Sequence, residues 1–358
     1  MANRRQFITT ALGLSAAAIG GPSAALAMTY DEAASSSRAP LRATPRDREL
    51  VRFATLAANS HNTQPWLFSV RGNVITIAPD VTRRCPAVDP DDHHLFVSLG
   101  CAAENLILAA AALGWRADPV VDGDRIVITL DAAAPVASPL ADAIPGRQCT
   151  RAAFAGKSAA PEILRQLENA CRQPGVAALL ITERAGMAAV TDYVLEGNSA
   201  QMRDKAFMRE LVDWIRFNEA EAVATMDGLF APASGSPALP SWMARPLLKL
   251  FFTEKGENKK YREQLDSSAG VVVLAADRSD ISHWIAVGRA CQRLGLQATA
   301  LGLKYSFVNP PVEVAALRQQ FAARLGLGER RPDIVMRFGT GPSLPKSLRR
   351  PPELVMRS

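Results

Sequence analysis

The sequence predicts an α+β fold made of two related halves. Alternation of apolar and polar residues predicts two β-hairpins, at 66–80 and 120–130, with an apolar helix between them at 95–113. A second apolar helix later in the chain repeats the pattern of the first. The 358 residues, 48% of them hydrophobic, are enough for one large core or two medium cores.

The chain is basic, with a formal net charge of +6 and a pI near 9.2. Its arginines are scattered, apart from short pairs such as Arg330–Arg331 and Arg349–Arg350. A nucleic-acid binder concentrates its basic residues on one element beside aromatic or groove-reading side chains. The sequence has no such element, so we expect no nucleic-acid partner and a preference for anionic ligands.

Residues 1–27 predict an export signal. Arg4–Arg5 precede an uncharged stretch of Ala, Gly and Leu, and Ala25–Leu26–Ala27 fits the small-x-small rule for cleavage before Met28. Gly20–Gly21–Pro22 interrupts the apolar stretch before the roughly 20 residues that a membrane span needs. We therefore expect twin-arginine export, with the export machinery as a partner and a periplasmic or other extracytoplasmic location.

The cysteines do not describe a disulfide framework or a zinc site, because their number is odd and no CxxC spacing occurs. They are Cys85, Cys101, Cys149, Cys171 and Cys291. The twin-arginine route carries proteins that are already folded, usually around a cofactor. Free thiols fit this route, and the signal itself points to a bound cofactor.

The first half of the fold is predicted at 46–135, after a linker at 28–45 that we expect to be mobile. Residues 46–59 carry apolar positions at helical spacing. The hairpin Trp66–Asp80 follows and turns at Arg71–Gly72–Asn73. A helix, a polar loop and a strand therefore follow one another without a spacer.

That polar loop carries six consecutive hydrogen-bonding side chains, from Asn59 to Gln64. Pro65 favours an extended conformation for Gln64, so the loop presents its donors and acceptors in a fixed order. Such a loop suits a planar ligand with a polar edge. The alternative is an ordinary polar surface turn.

Acidic residues and histidines cluster just before the helix at 95–113. They are Asp89, Asp91, Asp92, His93 and His94. One interpretation is a metal site, because carboxylates and imidazoles are metal ligands. We prefer the other interpretation, in which the acidic residues cap the helix and interact with its dipole. No metal-binding residue is therefore predicted, and Gly114 is expected to end the helix.

The helices around Gly100 and Gly288 align without gaps at an offset of 188 (288 − 100 = 188). Both combine small residues with one apolar stripe, which two unrelated buried helices also show at times. The gapless length favours a repeat. We therefore predict two related halves, at 46–135 and 139–350.

The polar loop resembles the A-P-S-x-x-N-x-Q-P-W signature of the nitroreductase family, whose members are FMN-binding α+β enzymes. The matching residues are Ala57, Ser60, Asn62, Gln64, Pro65 and Trp66. Ala58 stands where the family usually has Pro, and Asn59 where it often has Ser. The resemblance implies a nitroreductase-like fold, FMN as the cofactor, and cofactor-binding roles for Ser60, Asn62 and Gln64.

A second segment resembles the family's R-x-S/T-x-R element, here Arg147, Cys149 and Arg151, with Cys149 at the place of the usual hydroxyl. The two arginines have the spacing to place guanidinium groups at one phosphate. The alternative is a solvated helix face. Arg337 resembles a late phosphate-binding position, and its alternative is a strand arginine paired with an acidic neighbour.

Nitroreductases are dimers that bind flavin between subunits, with the polar loop from one subunit and the arginines from the other. Here the first half carries the loop and only a poor arginine element at 45–48, while the second half carries the arginines without the loop. The resemblance therefore implies an intrachain pseudo-dimer, a monomer with one FMN site per chain. The motifs together match the exported, Acg-like branch of the family.

The resemblance implies an FMN-dependent oxidoreductase that passes two electrons, from a donor such as NAD(P)H, to a nitroaromatic or quinone-like small molecule. An FMN-binding or sequestering protein is the alternative, because an exported protein meets almost no NAD(P)H. No catalytic residue is predicted, since the cofactor carries the reaction. An insertion at 198–261 is interpreted either as a lid over the site or as a connector between the halves.

Overall fold

The chain forms the mixed α+β fold that the sequence predicts, in a computed structural model that describes residues 28–357. The predicted export signal at 1–27 lies outside the described residues. Each half of the chain contributes four antiparallel strands to a sheet of its own, and the last strand of the described chain adds a fifth, parallel strand to the sheet of the first half. The largest hydrophobic core cluster contains residues of both halves, and a second cluster lies within the second half.

The described part begins with helix α1, Tyr30–Ser37. Thr29 and Glu32 cap its first turn by reciprocal hydrogen bonds, the arrangement that the spacing S/T-x-x-E favours. The ring of Tyr30 is buried and stacks on Phe230, with ring centroids 4.4 Å apart. The prediction of a mobile linker at 28–45 is therefore wrong for this helix, which packs against the rest of the protein.

The first half forms its elements in the predicted order. They are α2 (Arg46–Thr55), β1 (Trp66–Arg71), β2 (Val74–Pro79), α3 (His93–Ala112), β3 (Trp115–Asp122), β4 (Arg125–Ala132) and, after them, the short α4 (Pro139–Ala143). β1 pairs with β2, β2 with β4, and β4 with β3, all antiparallel. Helix α2 ends four residues before the predicted boundary. Gly114 follows α3 with φ +81°, a conformation that favours glycine at the end of a helix.

The second half is longer because an insertion lies between its first two main strands. Its elements are α5 (Pro161–Ala170), β5 (Val176–Ile181), α6 (Arg184–Arg203), α7 (Lys205–Trp214), β6 (Ile215–Arg216), α8 (Glu219–Thr225), β7 (Leu229–Phe230), α9 (Ser241–Phe251), α10 (Glu254–Asp266), β8 (Gly270–Ala276), α11 (Ile281–Ala300), β9 (Lys304–Phe307), α12 (Pro310–Glu313), α13 (Ala315–Arg324), β10 (Arg331–Gly339), α14 (Pro352–Val355) and β11 (Met356–Arg357).

The two sheets have the same strand order. β5-β8-β10-β9 corresponds to β1-β2-β4-β3, and every one of these neighbours is antiparallel. In both sheets a 20-residue helix joins the second strand along the chain to the next, α3 in the first half and α11 in the second. These helices pack along each other in the core. α3 is long and apolar enough to cross a membrane, but 78% of its most apolar window is buried inside the protein.

Residues 340–357, the crossing arm, extend from the second half to the first. After β10 the chain runs without regular structure until α14, and β11 then joins the edge of the first sheet. β11 is parallel to β1, with Met356 opposite Phe68. The arm therefore brings the arginines at 349 and 350 next to the polar loop of the first half.

Candidate functional site

The polar loop has an unusual backbone. His61, Asn62 and Gln64 all have positive φ values, of 45°, 54° and 54°. Non-glycine residues adopt this conformation rarely, and strained positions of this kind concentrate at functional sites where the surroundings hold them in place. Here the amide of Asn59 helps to hold the loop, since its Oδ1 accepts a hydrogen bond from the backbone N–H of Gln64 at 2.8 Å.

Asn62 lines the smaller of the two cavities described below, and its side chain also makes structural contacts. Its buried amide donates to the carbonyl oxygens of Gly228 (3.0 Å) and Leu348 (3.2 Å), and its Oδ1 accepts from Arg349 (2.6 Å). All its polar groups therefore join the loop to the insertion and to the crossing arm. The periodicity of the sequence gives no sign of these contacts, because the partners lie more than 160 residues away.

Gln64 is also occupied by structural contacts, which corrects the expectation that it faces the cofactor. Its side chain is fully buried, donates to the carbonyl of Met226 and accepts from the backbone N–H of Arg350. It lines neither of the two cavities described below. Ser60, in contrast, lines the larger cavity, and its N–H donates a long hydrogen bond of 3.4 Å to Ser98.

The large cavity has a volume of about 620 Å³, within the range of about 300–1,000 Å³ found for small-molecule sites. The polar loop, the first turns of α3, and β9 form one side of it. The insertion forms the other side, mainly with apolar side chains from α7 and α9 such as Phe207, Leu211 and Leu248. The insertion thus forms one wall of the cavity.

One end of the large cavity is polar. Glu313 lies there, with its Oε2 accepting from Gln201 at 2.6 Å and its Oε1 3.9 Å from the ring of His94. Burial raises the pKa of Glu313 to about 7, more than the hydrogen bond from Gln201 lowers it. Burial and the neighbouring His93 lower the pKa of His94 to about 3. At neutral pH the carboxyl group of Glu313 is therefore close to its pKa, so its protonated and ionised forms are both populated.

A second, smaller cavity of about 90 Å³ adjoins the large one. The two share part of their lining, including Asn59, His61 and Arg151. We call the small one the basic cavity, because its lining has five cationic side chains and no carboxylate. The five are Arg38, Arg147, Arg151, Lys346 and Arg349. Two of the predicted phosphate ligands, Arg147 and Arg151, and the predicted Cys149 are thus brought together at one place.

The hydrogen bonds of these cations go to neutral groups. Arg147 donates to the carbonyl of Leu56 and, at 2.5 Å, to the hydroxyl of Tyr305. Arg349 donates to the carbonyls of Thr55 and Ala57 as well as to Asn62. These carbonyls belong to the end of α2, where the helix dipole favours a cation. Part of this cationic cluster therefore also stabilises α2.

The cationic side chains of the basic cavity lie close enough to repel one another. Burial, together with the neighbouring Arg147, lowers the pKa of Arg38 to about 10. Burial, and then Arg38 and Arg147, lower the pKa of Arg349 well below its ordinary value. Among the described residues none of the five cations pairs with a carboxylate, and the buried Nε of Arg38 has no hydrogen-bond partner. An anion in this cavity would relieve the repulsion.

Arg337 does not reach either cavity, which corrects its predicted position at the phosphate. Its guanidinium is fully buried, lies over the ring of Phe154 at 4.0 Å, and donates to the carbonyls of Thr150 and Ala152. Those two residues flank Arg151. Arg337 therefore fixes the backbone from which Arg151 extends, and it is a positioning residue.

The sequence did not single out Arg38, Lys346 and Arg349 as site residues. Arg38 lies in the segment predicted as a linker, and the other two lie on the crossing arm. Their positive charge is the sequence feature that could have indicated a role at the site. Only the fold shows that the segments carrying Arg38, Arg147 and Arg349 meet at one cavity.

The acidic cluster before α3 caps that helix, as preferred from the sequence. The carboxylate of Asp89 accepts from the backbone N–H groups of His94 (3.1 Å) and Leu95 (2.9 Å). His93 lies 2.8 Å from Asp89 and 2.7 Å from Asp91, and hydrogen bonds to both carboxylates raise its pKa although burial lowers it. These contacts give the cluster a structural role.

Comparison with known proteins gives a sequence relationship over most of the chain. No protein-family model matches. A protein of Mycobacterium tuberculosis H37Rv, provisionally named NAD(P)H nitroreductase Rv3131, is 27% identical over 317 residues, which is 82% of this chain and 85% of the relative. Its counterpart in strain CDC 1551, MT3217, has the same values. This similarity supports the nitroreductase family, which the loop motif also indicates.

Two solved structures are similar in part. The FMN-dependent nitroreductase NfnB from Mycobacterium smegmatis, in complex with NADPH, is 13% identical and covers 57% of this chain and 87% of its own, with a TM-score of 0.37. A nitroreductase with bound FMN from Desulfitobacterium hafniense is 10% identical and covers 60% and 96%, with a TM-score of 0.38. Scores below 0.5 do not establish a shared fold, so the relationship rests on the sequence.

Proposed function

We propose that this protein is an FMN-dependent oxidoreductase of the nitroreductase type. The observation that carries the proposal is the junction of the two cavities at the polar loop, where a large cavity meets a basic one with five cations and no carboxylate. A flavin mononucleotide has a matching division, a flat ring system at one end and a dianionic phosphate at the other. The similarity to two relatives named as NAD(P)H nitroreductases supports the same class of reaction.

The basic cavity suits a phosphate. Arg151 is exposed, lines both cavities and extends from a backbone that Arg337 fixes. Arg38 has a buried Nε without a partner. Guanidinium groups bind phosphate oxygens through paired, charge-assisted hydrogen bonds. We assign the phosphate to Arg38, Arg147 and Arg151, with Lys346 and Arg349 contributing charge.

The large cavity suits the ring system and an acceptor stacked on it. Ser60 and Asn59 lie on the side next to the basic cavity and supply the polar contacts, while the insertion forms the opposite wall. FMN, when bound, supplies the two-electron chemistry. The chain positions the ring and an aromatic acceptor, and Glu313 holds a proton within the same cavity. Nitroaromatic and quinone-like molecules are the acceptor class, with NAD(P)H as the donor.

Flavin content and anaerobic reduction test this proposal. We expect denaturation of the purified protein to release one FMN per chain. Mixing the loaded protein with NADPH or NADH without oxygen should bleach the flavin, and a quinone should restore its colour. Absence of FMN after reconstitution would overturn the proposal.

A flavin-sequestering protein is the second candidate, because the insertion covers one side of the large cavity. In that case dithionite alone would bleach the flavin, and NAD(P)H would act only after the insertion is opened. Mutating the contact between Arg83 and Asp227, which ties the insertion to the first half, provides such an opening.

We further propose that the two halves form an internal pseudo-dimer of the Acg-like type with one FMN site, and that the chain is exported by the twin-arginine route. The equal strand order of the two sheets supports the first point. Arg4–Arg5 and the Ala25–Leu26–Ala27 sequence support the second. Replacing Arg4–Arg5 by Lys–Lys should leave the protein in the cytoplasm, and amino-terminal sequencing of exported protein should begin at Met28.

A further inference from the structure

Helix α9 exposes an unusual amount of apolar surface. Nine large hydrophobic side chains are exposed in residues 28–357, and four of them lie within its 11 residues. Trp242 is 76% exposed, Leu250 67% and Phe251 72%. Single exposed hydrophobic residues are normal, but such a concentration marks a surface that contacts a partner.

The apolar residues of α9 divide into two faces. Trp242, Pro246 and Leu250 are four residues apart, so they form one row along the helix, with Met243 beside it. All four are exposed. The opposite side of the helix, with Ala244, Leu247 and Leu248, lines the large cavity. One helix therefore separates that cavity from an apolar outer face.

The positive charge of the chain around α9 favours an anionic partner. From 228 to 253 the sequence contains no Asp or Glu, and its two charged residues are Arg245 and Lys249. The whole chain carries a net charge of +6. A short helix with Trp and Leu on one face and basic residues in its sequence is typical of helices that lie in the surface of an anionic lipid bilayer.

We propose that α9 is a membrane-docking helix, which lies in the head-group region of an anionic bilayer with Trp242, Met243 and Leu250 inserted. At 11 residues the helix is too short to span a bilayer, so it lies on the surface. Docking there places the large cavity one helix away from the lipid. Its ligands then include flat apolar molecules dissolved in the bilayer, such as lipid-soluble quinones.

The test is sedimentation of the full chain with lipid vesicles of two compositions, phosphatidylcholine alone and phosphatidylcholine with phosphatidylglycerol. We expect binding to the anionic vesicles that falls as salt is added, because salt screens the attraction. The double variant Trp242→Ser, Leu250→Ser should bind roughly tenfold or more weakly, since both side chains leave water on docking. Any vesicle binding by residues 1–27 is the same in all variants, because none of the substitutions lies in that segment.

The matched control is Val120→Ser, Leu354→Ser, which removes two comparably exposed side chains elsewhere. It should bind as the unchanged protein does. Arg245→Glu should weaken binding to anionic vesicles and leave binding to neutral ones unchanged. Equal binding by the α9 variant and the control would overturn the proposal. Light scattering that shows a dimer dependent on Trp242 would overturn it too, because the face would then join two copies of the chain.

Discussion

Gly100 and Gly288 face each other where α3 and α11 cross. A Cβ atom on Gly100 would lie 2.1 Å from the carbonyl oxygen of Ile285, and one on Gly288 would lie 2.1 Å from that of Val97. The contact is reciprocal, because 97 and 285 differ by the same 188 residues as 100 and 288 (285 − 97 = 188). A two-fold symmetric interface has this property, with each partner making the same contact.

Replacing either glycine by alanine should destabilise the protein. The added methyl group would meet a backbone carbonyl that cannot move unless the helices separate, so we expect a loss of about 3 kcal/mol in the free energy of unfolding. Urea unfolding measures it. Gly146→Ala is the control, since its new Cβ would have its nearest neighbours at 3.5 Å. Equal midpoints for Gly100→Ala and Gly146→Ala would contradict the close crossing.

Arg151→Gln should weaken binding of FMN and leave binding of riboflavin unchanged. Riboflavin lacks the phosphate, so the difference isolates the charge-assisted hydrogen bonds of the basic cavity. A loss of roughly 10- to 100-fold for FMN corresponds to one such interaction. Fluorescence titration of the flavin-free protein measures both affinities. Arg172→Gln, an exposed arginine that lines neither cavity, should change neither. An equal loss for the two flavins would place the phosphate elsewhere.

Asn62→Ala should destabilise the flavin-free protein itself. The substitution removes the acceptor of one Arg349 hydrogen bond and the donor to two buried backbone carbonyls, those of Gly228 and Leu348. We expect the free energy of unfolding to fall by about 1–3 kcal/mol. Thermal or urea unfolding without flavin measures this cost, and Asn73→Ala, at an exposed hairpin turn, is the control. If flavin affinity fell while the flavin-free protein kept its stability, Asn62 would contact the cofactor directly, as the family motif implies.

Stability should fall between about pH 4.5 and pH 7 because of Glu313. Its pKa is about 7 in the folded protein, where burial raises it, and 4.5 is the ordinary value that we take for the unfolded chain. The unfolded chain therefore releases this proton first as the pH rises, and the stabilisation present below pH 4.5 is lost, by at most about 3 kcal/mol. The variant Glu313→Gln should lack this decline in urea unfolding at pH 5 and pH 8. Glu196→Gln, on an exposed position of α6, should retain it.

The regular elements were predictable where local pattern decides the structure. α3 is buried over most of its length and follows an acidic cap, and both hairpins turn at glycines with positive φ, so short-range signals were sufficient. α1 shows the limit. Its capping sequence was present from Thr29 to Glu32, but its burial depends on Phe230 and Leu348, which no local window includes.

The site divides in the same way. Arg147, Cys149 and Arg151 lie close together in the sequence, and all three line one cavity of the fold. Asn62 and Gln64 resemble the family motif in identity, yet their hydrogen bonds go to the insertion and the crossing arm. Such hydrogen bonds depend on where the fold places the insertion and the crossing arm, and a short sequence motif does not specify those positions.

The crossing arm makes the order of synthesis matter. Arg349, which lines the basic cavity and holds the end of α2 and Asn62, is translated after the four antiparallel strands of each sheet. A chain interrupted before that residue has these eight strands and the insertion, but it lacks β11 and has an incomplete basic cavity. Retention of the cofactor therefore distinguishes a chain synthesised through the arm from one that stopped short. Under the twin-arginine export proposed above, the bound cofactor would be a signal, before export, that translation has passed this point.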